Sequence, residues 1–140
     1  NRFYKSKGIL HKMIKTKTKA AFVVKELERI SLELGRVGES VYHDDPMFCE
    51  QVFKIISKIM FEIEGPVIAD YPSLRPAAML GEKYKNCTYR IICHDYNSNT
   101  DSINKTGILP EDAEKELAKQ ENESGDKPNQ LFYLELETEK

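Results

Sequence analysis

A repeat with alternating steps of four and three runs through the first third of the chain: Ile9, Met13, Thr16, Ala20, Val23, Leu27, Ile30, Leu34, Val37 and Val41. Such steps place all ten side chains on one stripe of an α-helix. Sustained over more than four heptads, the period is 3.5 residues, the coiled-coil value. The remaining faces are mainly charged, with Lys12, Lys15, Lys19, Glu26, Arg29, Glu33 and Arg36 among them. A helix over residues 9–42 would be ~50 Å long at 1.5 Å per residue. A domain of 140 residues cannot bury that length on all sides. Thr16 and Ala20 are poor seam residues, and Gly35 and Gly38 each cost about 1 kcal/mol in a helix interior. One helix is therefore expected from about Thr18 to Val41. The basic segment 1–17 either continues it or forms an arm or short helix of its own.

A second helix is expected between the N-cap candidates Asp44 and Asp45, with Pro46 at its first position, and a stop at Gly65-Pro66. Phe48, Val52, Ile55, Ile56, Ile59, Met60 and Ile63 recur inside it at helical spacing. The short link Val41–His43 makes the two helices an antiparallel hairpin over residues 18–65. Pro66, Pro72 and Pro76 then exclude regular helix, so 66–87 is expected as a Pro-rich connection. Thr88–Tyr96 and Leu131–Thr138 alternate as strands. Asn97–Ser102 is expected as polar loop, and Pro110–Asn122 as a short acidic helix. Residues 88–140 thus form a strand–helix–strand element. Two strands alone are unstable, so a further strand from the Val67-Ile68 region or the N-terminus is expected. The whole is a single α+β domain.

Composition excludes several classes. Hydrophobic residues make up 40% of the chain, too many for a wholly disordered one. No apolar run approaches the ~20 residues of a membrane-spanning helix. Three cysteines, Cys49, Cys87 and Cys93, are too few and too odd in number for a disulfide scaffold. They favour a reducing cytoplasm, against which stand three N-x-S/T triplets at Asn86, Asn104 and Asn122. Beginning at Asn1 rather than Met, the chain is expected to be a processed, tagged or excised piece.

The net charge of −2 conceals a split. Residues 1–25 carry eight bases (Arg2, Lys5, Lys7, Lys12, Lys15, Lys17, Lys19 and Lys25) and no acid, so the rest must sum to −10. From Asp101 to Lys140 eleven acids face five bases. Such a split suggests an anionic partner for one end, one end docking on the other, or two solvated faces.

Motifs for chemistry are weak. Cys87, Cys93 and His94 lack a fourth ligand, and their spacing is wrong for a zinc knuckle. Neighbours on a strand, Cys93 and His94 also point to opposite faces. No Gly-rich elbow surrounds a Ser or Cys that could pair with His94 and Asp95. His43-Asp44-Asp45 is explained as a loop and its helix cap. The last strand lacks the Glu-x-Lys of a two-metal nuclease, and no phosphate-binding glycine loop occurs. No metal, cofactor or catalytic residue is assigned.

The expectation is a non-enzymatic interaction or oligomerisation module. Its seam is Val23, Leu27, Ile30, Leu34 and Val37, facing a second copy or another protein, with intramolecular core as the close competitor. Nucleic-acid binding through Arg2, Lys5, Lys7, Lys12, Lys15, Lys17 and Lys19 is one alternative. Another is a regulator or inhibitor of the toxin-neutralising kind that uses the acidic C-terminal half. A membrane surface is the weakest of the partners, and no small-molecule ligand is inferred.

Overall fold

The computed structural model describes residues 14–125 and 127–137. Its architecture is α+β: helices against a three-stranded antiparallel sheet. Helix α1 spans Lys17–Ser40. Thr16 caps it, its hydroxyl accepting from the Lys19 amide at 3.2 Å. The chain turns through residues 41–45 into α2, Pro46–Lys58, where the Asp45 carboxylate accepts from the Phe48 amide at 3.0 Å. Pro46 sits where its missing N–H costs nothing.

The stop expected at Gly65-Pro66 does not occur. Helical backbone continues through a π-turn, Ile59–Glu64, into α3, Gly65–Asp70. The Gly65 amide bonds the Met60 carbonyl, a step of five residues rather than four. This wider turn lets Pro66 follow without the usual clash against the preceding turn. A Cβ at residue 65 would meet that Met60 oxygen at 3.2 Å, so glycine fits the turn best. Three short 3-10 turns carry the chain over residues 72–84 to the sheet.

Strand β1, Thr88–Asp95, lies in the centre of the order β2-β1-β3. Strand β2, Thr100–Ile108, pairs with one side of β1, and β3, Gln130–Glu137, with the other. The third strand thus comes from residues expected to be polar loop and its sequel, making the C-terminal part strand–strand–helix–strand. Val67 and Ile68, the other candidates for it, are buried in α3. Exposed at every position but Ile108, β2 shows no hydrophobic alternation, and pairing rests on its backbone. A bulged register against β1 and the Asp95 carboxylate, which accepts from the Asn97 amide, shape this hairpin. Helix α4, Ala113–Ser124, follows on a turn at Pro110–Asp112.

Both faces of β1 are buried. Tyr89, Ile91 and Cys93 join Phe132, Leu136, Ala113 and Leu117 on the face under α4. Ile92 and Tyr133 join Ala20, Val24, Ile68 and Leu74 on the face under α1 and α3. Contact between α1 and α2 is made through glycine. A Cβ on Gly38 would stand 3.3 Å from both Val52 and Phe53, whereas one on Gly35 would reach only the tip of Ile56 at 4.0 Å. Gly35→Ala should therefore raise stability by about 0.5–1 kcal/mol through helix propensity alone. Gly38→Leu should lower it by roughly 1 kcal/mol or more, because overpacking outweighs that gain. Urea denaturation of the two variants tests the contrast.

Candidate functional site

The residues of α1 buried in the protein are Ala20, Ala21, Val24 and Gly38. Ala20 is itself on the heptad stripe, and the four together centre roughly a quarter turn round the helix from the stripe's large residues. Of the expected seam, Val23, Leu27 and Leu34 are half-buried at its margin, while Ile30 and Val37 are 38% and 48% exposed. Small residues allow the close approach, so the helix packs on its small face and leaves its large one outward.

The same asymmetry holds on α2. Cys49 and Val52 are buried, Phe48 and Ile55 are 46% and 50% exposed on one flank, and Phe53 lies on the other. Phe53, Ile56 and Met60 line a groove with Glu28, Leu32 and Glu39 of α1. Those α1 residues lie on the side away from the heptad stripe. Phe48 and Ile55 therefore share the opposite side of the helix pair with Ile30, Leu34 and Val37. Together they form one apolar face built from two helices.

A second feature lies on the far side of α1. A groove of about 510 Å³ runs between α1, α4 and the outer edge of β3. Val24, Leu74, Pro76, Leu117 and Leu134 give it an apolar floor. Lys25 stands at its rim, donating to the Phe132 carbonyl at 2.7 Å and pairing with Glu121. Glu28 and Glu114 are in the walls. Behind Glu28, on the π-turn, is Glu64, with no exposed surface and neither carboxyl oxygen meeting a hydrogen-bond donor. Burial, and then the adjoining Glu28 carboxyl, push Glu64 up to about 9, so it carries its proton at neutral pH. Loss of water on the groove side, and then Glu28, also push Glu114 up.

The remaining candidates are accounted for by local structure. His94 Nδ1 donates to Asp101 at 2.6 Å, and the Thr18 hydroxyl reaches the same nitrogen at 3.5 Å. A catalytic relay needs the acid and the nucleophile on opposite ring nitrogens, so these three do not form one. Asp95 serves the β1–β2 turn instead. Cys93 lies in the α4-side core, where burial pushes its thiol up, away from a reactive thiolate. Among the described residues no three His, Cys, Asp or Glu side chains stand close enough to hold a metal ion, and no helix is long and apolar enough to cross a membrane.

Arg2, Lys5, Lys7 and Lys12 lie outside the described residues. Lys17, the first residue of α1, pairs with Glu135, and Lys25 with Glu121. Two of the basic side chains are thus held by the acidic C-terminal half of the same chain. Glu135 also takes Arg90, in two hydrogen bonds of 2.9 and 2.7 Å, and Glu116 takes Lys105.

Compared with known proteins, the chain matches no family model, no curated protein and no solved structure. Function must come from its own residues. Sequence reasoning missed Glu28 and Glu64, although a signal exists. Glu64 extends the row Val52, Ile56, Met60 at steps of four, and Glu28 extends Ala20, Val24 in the same way. A carboxylate falling on a buried row needs a neighbour or a proton.

Proposed function

We propose that the protein is a non-enzymatic oligomerisation module that pairs with a second copy through the joint face of α1 and α2. The observation that carries this is the outward position of Ile30 and Val37 on α1 beside Phe48 and Ile55 on α2. Soluble chains rarely leave a contiguous apolar face of this kind to water. A standard interface takes ~800 Å² from each partner, somewhat more than half of it apolar. Seven large side chains on this face, partly exposed, supply on the order of 400–500 Å² of that. Joining Leu27, Leu34 and Ile59 to the four exposed residues makes up the seven.

A second copy fits better than a single foreign helix. Two helices already lie side by side, and a two-fold axis would set α1 of one chain against α2 of its partner. The product is a four-helix bundle with coiled-coil packing, the geometry that a 3.5-residue repeat specifies. Light scattering on the full chain should give twice its 16.2 kDa mass at micromolar concentration. A one-chain mass at every concentration would sink the proposal.

A further inference from the structure

The π-turn after α2 exchanges the places of two side chains. Val52 is buried against α1, and Ile63 stands eleven residues beyond it, close to three full helical turns. An unbroken α-helix would therefore bury Ile63 on the line of Val52. Glu64 would fall on the line of Phe53, which is 41% exposed. The extra residue in the turn Ile59–Glu64 sets back the residues after it by up to about 100°. Ile63 is 53% exposed as a result, while Glu64 takes the buried line with no exposed surface and no hydrogen-bond partner for either oxygen. Water thus meets an apolar side chain and the core receives a polar one, two costs from a single turn. Local rules are broken at this price where the site has another use.

Set back in this way, Ile63 falls in line with Phe48, Ile55 and Ile59 and adds an eighth large side chain to the joint face of α1 and α2. We propose that, given pairing through that face, the π-turn serves it by presenting Ile63 as an end anchor against α1 of the second copy. Gly38 stands beside Val52 and Gly35 beside Ile56. Stepped on along the antiparallel pair, Glu33 is level with Lys58 and Leu27 with Ile63. With α1 of one chain set against α2 of the other, Ile63 meets Leu27 of the partner subunit. The same register puts exposed Lys58 opposite Glu33 of the partner subunit, at the edge of the seam. Glu33 is itself exposed and takes Arg36 of its own helix at 2.8 Å, so it reaches Lys58 from the rim. Opposite charges at matching levels favour a second copy in this register over a shifted one.

Sedimentation equilibrium of full-chain variants tests the role of Ile63. Ile63→Glu should raise the dimer dissociation constant by at least about tenfold, the scale of a lost anchor at an interface. Phe61→Glu changes a residue of the same turn that is 74% exposed on the opposite side of the helix, and should leave the constant unchanged. Circular dichroism checks that both variants fold. Ile63→Cys supplies a second measurement, because Cys49, Cys87 and Cys93 are buried. Its new thiol should lose reactivity toward iodoacetamide as concentration rises through the dimer range. A wild-type dimer matched by Ile63→Glu, or an Ile63→Cys thiol equally reactive in monomer and dimer, would overturn the role of Ile63 and leave the pairing standing. A wild type that stays a single chain would overturn the pairing itself.

Discussion

Glu64→Gln is expected to stabilise the protein by roughly 2–4 kcal/mol at about pH 8 and to remove most of the fall in stability between about pH 5 and 9. In the folded chain this carboxyl, buried against Glu28, titrates near 9, against 4.5 for an ordinary glutamate. Between those values the folded state keeps a proton that the unfolded chain has released, so folding takes one up. Stability from this group is complete below about pH 4.5 and declines by about 1.4 kcal/mol per unit as pH rises, until Glu64 itself ionises. Glutamine keeps the shape without the titration. Urea denaturation of both proteins at several pH values between 5 and 9 tests this. Parallel profiles would show that Glu64 is not protonated in the native state.

Glu135 has the opposite sign. It is 2% exposed, at the junction of Lys17, Arg90 and Ser73. Burial works against its charge, but the hydrogen bonds from Lys17 and Arg90 outweigh it and hold the carboxyl below the usual range. A depressed acid contributes stability above its unfolded value of about 4.5 and loses it as pH falls through the lower folded value. Glu135→Ala should cost about 2–4 kcal/mol near neutrality. That is less than for a fully buried pair, because Lys17 and Arg90 are each about a third exposed and regain water once released. The variant should also lose the acid limb of the wild-type profile. Thermal unfolding at about pH 7 and pH 3.5 reads both effects, and a variant with an unchanged acid limb contradicts the assignment. Stability of the wild type is therefore bounded on the acid side by Glu135 and on the alkaline side by Glu64.

Elements with strong patterning are legible in the sequence. The helix begun by Thr16 and the helix capped by Asp45 follow from spacing and caps, and the paired strands β1 and β3 from alternation. Strand β2 is not legible, because an edge strand exposed on both sides needs no apolar residues. Helix α3 hides behind Gly65-Pro66, since a π-turn is a backbone device with no side-chain period. On α1 the chain carries two stripes. Large residues mark one; Ala20, which the two share, with Val24, Glu28, Ser31, Gly35 and Gly38 marks the other at similar steps. Hydrophobic periodicity weights size, so it finds the first stripe. Packing against α2 and the sheet uses the second, because small residues let backbones approach. Glu28 lies along that second stripe and stays hidden with it.

One face of α1 builds the fold, and the other is the face proposed to pair with a second copy. Sedimentation equilibrium of the full chain beside the double variant Ile30→Glu, Val37→Glu tests this most directly. Both positions lie outside the buried core, so the variant should keep the wild-type circular dichroism spectrum. The wild type should rise with concentration from one chain mass to two, while the variant stays at one throughout. A wild type that remains a single chain, or a variant that dimerises as the wild type does, would contradict the account.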